Sequence, residues 1–262
     1  MLEEGMLQKI IEIVKEAGKL VKSPAPLEVS QKSNFADFIT DRDLSVQNFL
    51  IGEFKKLIDG AGFLGEEDKV ADLNKEYVFI IDPIDGTANF VMGYNASGIS
   101  VALARNGEVI MGVVYNPYLD EMFSAEKGRG AWLNGNPIRV TDLPLRNSLI
   151  AVGTSPYNRE KAELTFSLLR RIYDVSADIR RGGSAALDAC NVAAGRCALM
   201  FELGLHAWDF YAARLIVEEA GGIFAYVDGK EHTPLDICPV VMGTKEALDK
   251  FMEIYKSSGY EC

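Results

Sequence analysis

Residues 82–90 read Asp-Pro-Ile-Asp-Gly-Thr-Ala-Asn-Phe and follow directly on the apolar run 77–81. A buried strand that ends this way delivers two carboxylates at one fixed point. Pro83 fixes φ and cannot join a strand ladder, so the chain must turn there, and Gly86 admits backbone dihedrals that residues with a Cβ avoid. Asp82 and Asp85 are then able to converge. Converging carboxylates repel one another unless a cation lies between them, and oxygen-only ligands favour a hard divalent ion, Mg²⁺ ahead of Mn²⁺. Beyond the turn, Gly86, Thr87 and Ala88 are expected to open a short helix whose free N–H groups suit a phosphate oxygen. Most single Asp-Pro or Asp-Gly dipeptides are Asx-type turns closing a strand. The full hexapeptide 82–87 after a strand, with an acidic companion upstream, is far more specific.

That companion is Gly65-Glu66-Glu67, which follows Phe63-Leu64 and a Gly-rich turn. Two adjacent glutamates are ordinarily a solvated face, yet a third carboxylate reaching Asp82 and Asp85 would complete a binuclear site. Further on, residues 202–209 read Glu-Leu-Gly-Leu-His-Ala-Trp-Asp. From Phe210 apolar residues recur at helical spacing until Gly221-Gly222, so Asp209 falls in the first turn of a helix. Taken alone it reads as a charge stabilised by the helix dipole, worth about 0.3–1 kcal/mol.

In that order, Gly-Glu-Glu, then 82–87, then Trp-Asp heading a helix that ends Glu-Glu-Ala-Gly-Gly, the chain resembles the inositol monophosphatase family of Mg²⁺-dependent, lithium-sensitive phosphatases, from about Lys32 to Val241. The resemblance implies that Glu66, Asp82 and the Ile84 carbonyl hold one Mg²⁺, that Asp82, Asp85 and Asp209 hold a second, and that a third ion binds more weakly near Glu66. Mn²⁺ is a plausible substitute. It also implies that the segment 32–43 matches a loop and hairpin in which Asp43 orients the Thr87 hydroxyl; Asp41 is the other candidate. Glu66, Thr87 and Asp43 would then be catalytic. Substrate-side positions by the same resemblance are Gly86, Thr87, Ser184, Ala185 and Glu202, the last toward an inositol hydroxyl. Arg180 and Arg181 read either as a solvated loop end or as readers of a second phosphate.

The reaction expected is hydrolysis of a phosphate monoester by in-line attack of a metal-activated water, without a phosphoenzyme, on inositol monophosphate or a similar polyol phosphate. Fructose 1,6-bisphosphate and 3′-phosphoadenosine 5′-phosphate remain alternatives. A non-catalytic regulatory binding protein is a third. Relatives commonly carry a His and a Pro soon after the 82–90 stretch, where this chain reads Val91-Met92-Gly93-Tyr94-Asn95, and 35–37 lacks the Pro of many inositol-specific members. Neither departure touches the expected ligands.

The chain has 262 residues, 48% hydrophobic, with 27 Lys and Arg against 38 Asp and Glu for a net charge of −11. That balance argues against nonspecific binding to nucleic acid or acidic membranes, and it repels anionic substrates at long range. There is no run of eighteen apolar residues, and the start, with Glu3 and Glu4, lacks a signal peptide's basic and apolar stretches, so a cytoplasmic location with no membrane contact is expected. Cys190, Cys197, Cys238 and Cys262 lack metal or disulfide spacing and read as reduced thiols. His206 reads as structural, packed before Trp208.

Periodicity predicts helices over 2–21 and 44–58, strands over 77–81, 98–104 and 109–115 with a hairpin turn at 105–108, and further strands at 121–125 and 130–133 with a turn at 134–137. After a seam at 143–145, strands near Leu149, Ala198 and Ile223 alternate with helices around 160–172, 184–194, 209–220 and 245–255. The division expected is an N-terminal α+β half, 1–145, carrying most metal ligands, and a C-terminal α/β half, 146–262, carrying the substrate side and the last ligand. The fold class expected is α+β: a five-layer α-β-α-β-α sandwich of the sugar-phosphatase type, with an antiparallel N-terminal sheet and a mixed C-terminal one. The resemblance adds a homodimer.

Overall fold

The computed structural model describes residues 5–25, 27–32, 35–67 and 72–259. Positions 2–4, Ser33, Asn34 and Cys262, on which some of the expectations fall, lie outside the described residues. In chain order the elements are α1 (Met6–Val21), β1 (Val29–Gln31), β2 (Phe38–Thr40), α2 (Asp41–Leu57), β3 (Gly62–Gly65), β4 (Tyr77–Asp85), α3 (Thr87–Val91), β5 (Gly98–Arg105), β6 (Glu108–Asn116), β7 (Glu121–Glu126), β8 (Gly130–Leu133) and β9 (Asn136–Pro137). There follow β10 (Leu149–Val152), α4 (Ala162–Tyr173), β11 (Asp178–Arg180), α5 (Ala185–Ala193), β12 (Leu199–Leu205), α6 (Ala207–Glu219), β13 (Ile223–Tyr226), β14 (Cys238–Gly243) and α7 (Lys245–Lys256).

Strands β3 to β9 form a seven-stranded sheet in sequence order, and the other large sheet runs β11-β10-β12-β14-β13. The first is antiparallel except at its edge, where β3 pairs with β4 in parallel. The second is mixed: β10 is parallel to β11 and β12, while β14 is antiparallel to β12 and β13. Helices α1 and α2 cover one face of the larger sheet, α5 and α6 lie between the sheets, and α4 and α7 close the far face, giving five layers.

Burial on both faces explains why β4 reads as an unbroken apolar run. Phe79 and Ile81 face the α1–α2 layer, while Val78 and Ile80 face the α5–α6 layer. Phe79 stacks on Phe54 of α2 at 4.2 Å between ring centres. Each such side chain contributes about 1.5–3 kcal/mol by leaving water. On α1 the buried positions Met6, Ile10, Val14, Ala17 and Val21 recur at three and four residues, the stripe that a helix lying on a sheet requires. Helix α2 begins at Asp41, earlier than periodicity indicates, because Thr40 caps it: its hydroxyl accepts from the Arg42 and Asp43 amides, and Asp43 reaches back to the Thr40 amide.

The tight turns match their residues. Asn106 and Gly107 have φ of 51° and 82°, and Asn134 and Gly135 of 50° and 78°, the left-handed pairs that a two-residue hairpin needs. The chain does not leave the sheet at Pro83. Strand β4 continues to Asp85 through a register irregularity between Asp82, opposite Ser100, and Asp85, opposite Gly98. A bulge is one of the few places where a strand tolerates proline.

Candidate active site

The irregularity at Pro83 determines where both acids sit. The Ile84 amide donates to Asp82 Oδ1 at 3.0 Å, and the Thr87 hydroxyl donates back to the Ile84 carbonyl at 3.1 Å. Gly86 then has φ of 88°, and a Cβ there would lie 2.9 Å from the Gly183 carbonyl and 3.3 Å from Ser184 Cβ. Glycine is required both by the dihedral and by the close passage of residues 183–184.

That second segment holds Asp85. The Ser184 hydroxyl donates to its Oδ2 at 2.5 Å, the Ala186 amide to the same oxygen at 2.7 Å, and the Ala185 amide to Oδ1 at 3.3 Å. The carboxylate thus occupies the positive end of α5. Asp209 serves its own helix in the same way, accepting the His206 amide at 2.7 Å at the start of α6. Asp82 is 2% exposed. Burial raises its pKa well above the usual carboxylate range, and the charges of Glu66, Asp85, Asp209 and Asp43 push the same way. Burial and Asp85 likewise raise Asp209 well above that range. Asp85 is pushed up to about 6 by burial, against the pull of its three donors.

Glu66 stands just beyond β3 and meets the Lys32 ammonium at 3.0 Å, while the buried Glu67 meets it at 2.5 Å. Burial works to lower the Lys32 pKa, but these two carboxylates outweigh it and hold the ammonium above its ordinary value. Gln47 fixes Glu67 by donating to its carbonyl and accepting its amide.

Together these residues line a cavity of about 640 Å³. Glu66, Asp82, Ile84, Asp85 and Asp209 all reach it, as do Gly86, Thr87, Ser184, Ala185 and Glu202. Glu202, on β12, accepts the Ser155 amide at 2.7 Å and its hydroxyl at 3.2 Å, and burial pushes it to about 7. Two expected positions are not brought to the wall. Arg180 points to solvent, 53% exposed and paired with Asp178 at 2.6 Å, whereas its neighbour Arg181 lines the cavity. Asp43 lies behind it, buried beneath Thr40, with Oδ2 accepting from the Thr40 amide and hydroxyl and Oδ1 without a partner. Burial pushes Asp43 to about 6. Asp41 is occupied elsewhere, accepting the Glu28 amide at 3.0 Å.

Several lining residues were not singled out from sequence. Asp188, on α5, carried no motif. Ser155 and Tyr157 lie in a connection without any signal. His206 stacks on Trp208 at 4.5 Å between ring centres, as packing suggested, yet both also line the cavity.

Seven acids, Asp37, Glu66, Asp82, Asp85, Asp188, Glu202 and Asp209, face two cations, Lys32 and Arg181. An anionic ester entering alone would be repelled. Multivalent cations fit, because the donors are oxygens only and the mutual repulsion already felt by Asp82 and Asp209 vanishes on binding one. Among the described residues no three acids, histidines or cysteines gather around one point. Asp85 is turned to α5, Asp209 to its own helix and Glu66 to Lys32.

The sequence profile of the Inositol monophosphatase family matches residues 3–259. The inositol-1-monophosphatase of Mesorhizobium japonicum is 34% identical over 251 residues, 94% of each chain. The Nus factor SuhB of Xylella fastidiosa is 35% identical over 240 residues, 89% of this chain and 86% of that protein. The structure of Thermotoga maritima IMPase matches with a TM-score of 0.86 at 31% identity, covering 96% of both chains. A five-layer α+β sandwich with such a cavity and such relatives is a phosphatase, a metal-dependent phosphoric monoester hydrolase. The chain belongs to the inositol monophosphatase family. Among its described residues no helix is long and apolar enough to cross a membrane.

Proposed function

We propose that this protein hydrolyses the phosphate monoester of a polyol, inositol monophosphate foremost, with two or three Mg²⁺ ions, which Mn²⁺ can replace. The observation that carries the reading is the single cavity shared by Glu66, Asp82, Asp85, Asp209 and the Ile84 carbonyl, an oxygen set with a large excess of negative charge. Those five groups would hold the ions. Bound Mg²⁺ supplies neutralisation of the phosphoryl oxygens and acidification of water.

The chain's own groups do the rest. Glu66, half-buried at the mouth, accepts the proton of the attacking water. The Thr87 hydroxyl, which here donates to the Ile84 carbonyl, would orient that water, and Asp43, with one buried oxygen unpartnered, would accept the Thr87 proton if the hydroxyl turned to it. Gly86, Thr87, Ser184 and Ala185 border the phosphate and the ring. Glu202 accepts a hydroxyl of the leaving alcohol, so esters lacking that hydroxyl leave a buried carboxylate unpaired. The same reading includes inhibition by Li⁺, a cytoplasmic location, a homodimer, and halves meeting near residue 145 with the cavity between them.

Arg181 keeps a second class of ester open. Its guanidinium in the cavity wall suits another phosphate, as in fructose 1,6-bisphosphate or 3′-phosphoadenosine 5′-phosphate. Arg180 takes no part in this. The relative named a Nus factor motivates a different reading, a regulatory binding protein that turns over no ester. Asp82, Asp85, Asp188 and Glu202, kept buried around one cavity at a desolvation cost, weigh against it. Phosphate release over a panel of inositol, fructose, nucleotide and histidinol phosphates, with Mg²⁺ and then with added Li⁺, tests all three. Release from inositol phosphates, suppressed by Li⁺, supports the first; no release from any ester supports the last.

A further inference from the structure

The segment 182–184 is gripped at both of its polar ends. The Asp188 carboxylate, one turn into α5, lies against Gly182, whose amide favours its charged form. The Gly182 carbonyl accepts the Asn89 side-chain amide at 2.9 Å, and that same amide donates to the Ala96 carbonyl at 2.8 Å. Asn89 lies on α3, 93 residues earlier in the chain. The fit is close: a Cβ on Gly182 would come 2.2 Å from Asp188 Oδ1, and one on Gly183 would come 2.7 Å from Asn89 Nδ2. Gly182 is thus clamped between a carboxylate of α5 and a carboxamide of α3.

The clamp costs something to maintain. Asp188 is buried, its pKa pushed up to about 7 by burial first and then by the charges of Asp85 and Glu202. Burying an acid in that position carries a desolvation cost, which is offset where its oxygens hold neighbouring groups in place. What it secures is visible two residues along. Ser184, fixed by the clamped Gly182-Gly183 pair, donates its hydroxyl to Asp85, and the two amides that follow it complete that carboxylate's seat.

We infer that Asp188 and Asn89 are positioning residues: they hold the Gly182-Gly183-Ser184 segment against the 82–87 turn and so fix the place of Asp85 at the cavity that would take Mg²⁺. The inference rests on the phosphatase reading only in naming the ion. Groups one step behind a ligand commonly govern metal affinity as strongly as ligands do. Arg181 stands beside the same arrangement: its guanidinium lies against Gly183 near Asn89, and the side chain lines the cavity while remaining exposed.

The test is a Mg²⁺ titration of the full chain, read by calorimetry and in parallel by phosphate release from inositol 1-phosphate. Asp188→Ala is expected to weaken Mg²⁺ binding by about 10- to 100-fold. Asp188→Asn, which keeps an oxygen able to accept the Gly182 amide, is expected to recover most of that loss. Asn89→Ala removes the other jaw and weakens binding in the same direction; it decides the matter alone if Asp188→Ala fails to fold by circular dichroism. In each folded variant the Mg²⁺ half-saturation shifts more than the KM for the ester. Wild-type Mg²⁺ affinity in a folded alanine variant, or an Asp188→Asn variant as weak as Asp188→Ala, overturns the inference. A wild-type chain that binds Mg²⁺ but releases phosphate from no ester overturns the phosphatase reading instead and leaves the clamp testable by calorimetry.

Discussion

The Ser184 hydroxyl donates to Asp85 Oδ2 at 2.5 Å, joining the start of α5 to the end of β4 across 99 positions of sequence. A charged hydrogen bond of this kind contributes about 1.5–3 kcal/mol. Ser184→Ala also removes the cap that accepts the Leu187 amide, a further loss of about 1 kcal/mol. The variant should melt several degrees lower and need about tenfold more Mg²⁺ for half-maximal turnover. Unchanged Mg²⁺ dependence would show that the bond supports the fold and nothing else.

Asp82→Asn should separate stability from activity. The native carboxylate is buried among four other acids that disfavour its charge, so a neutral isostere relieves repulsion when no metal is present. Without divalent ions the variant should melt higher than wild type, by about 2–4 °C for each kcal/mol relieved. With saturating Mg²⁺ it should be nearly inactive and gain little stability. Scanning calorimetry with EDTA and with Mg²⁺ checks both halves; near-normal turnover would remove Asp82 from the metal site.

Stability should depend on pH in opposite ways with and without metal. Burial raises Asp43 and Asp85 to about 6 and Glu67, Asp188 and Glu202 to about 7, all above their ordinary values. The unfolded chain gives up these protons first, so the folded state is favoured at low pH and loses ground as pH rises through 6 and 7. In EDTA the melting temperature should therefore fall between pH 5 and pH 8. Mg²⁺ binds the deprotonated acids, so its stabilisation should grow over the same interval. A metal-free melting temperature that climbs toward pH 8 would contradict the buried, mutually repelling arrangement.

Glu202→Gln tests the leaving-group side. Glutamine fills the same space and still accepts from Ser155, but a hydroxyl loses its charged acceptor. Relative to p-nitrophenyl phosphate, turnover of inositol 1-phosphate should drop about 10- to 100-fold, the effect of one charged hydrogen bond. An equal loss on both esters would assign Glu202 to the scaffold.

The legible parts of this chain were those where local chemistry is dense. The turn at 82–90 carries its own proline, glycine and acids, and the strands and helices flanking it have strong period-two or helical apolar spacing. Strands β3, β11 and β14 were missed because Gly62–Gly65 and Cys238–Gly243 are short apolar runs without alternation, and Asp178–Arg180 is a three-residue polar edge. Arg180 and Arg181 are alike in sequence, and only the fold shows that Arg181 lines the cavity while Arg180 pairs with Asp178. Asp188 and Asn89 were silent for the same reason: each acts on backbone groups that proximity in space, not in sequence, brings to it.

Glu66, Asp82, Asp85 and Asp209 are expected to close around divalent ions. Anomalous diffraction from crystals saturated with Mn²⁺ tests it most directly. Peaks are expected bounded by those four carboxylates and the Ile84 carbonyl, with Asp82 touching two of them. Saturated crystals with no peak among these residues, or with peaks only elsewhere on the surface, would contradict it.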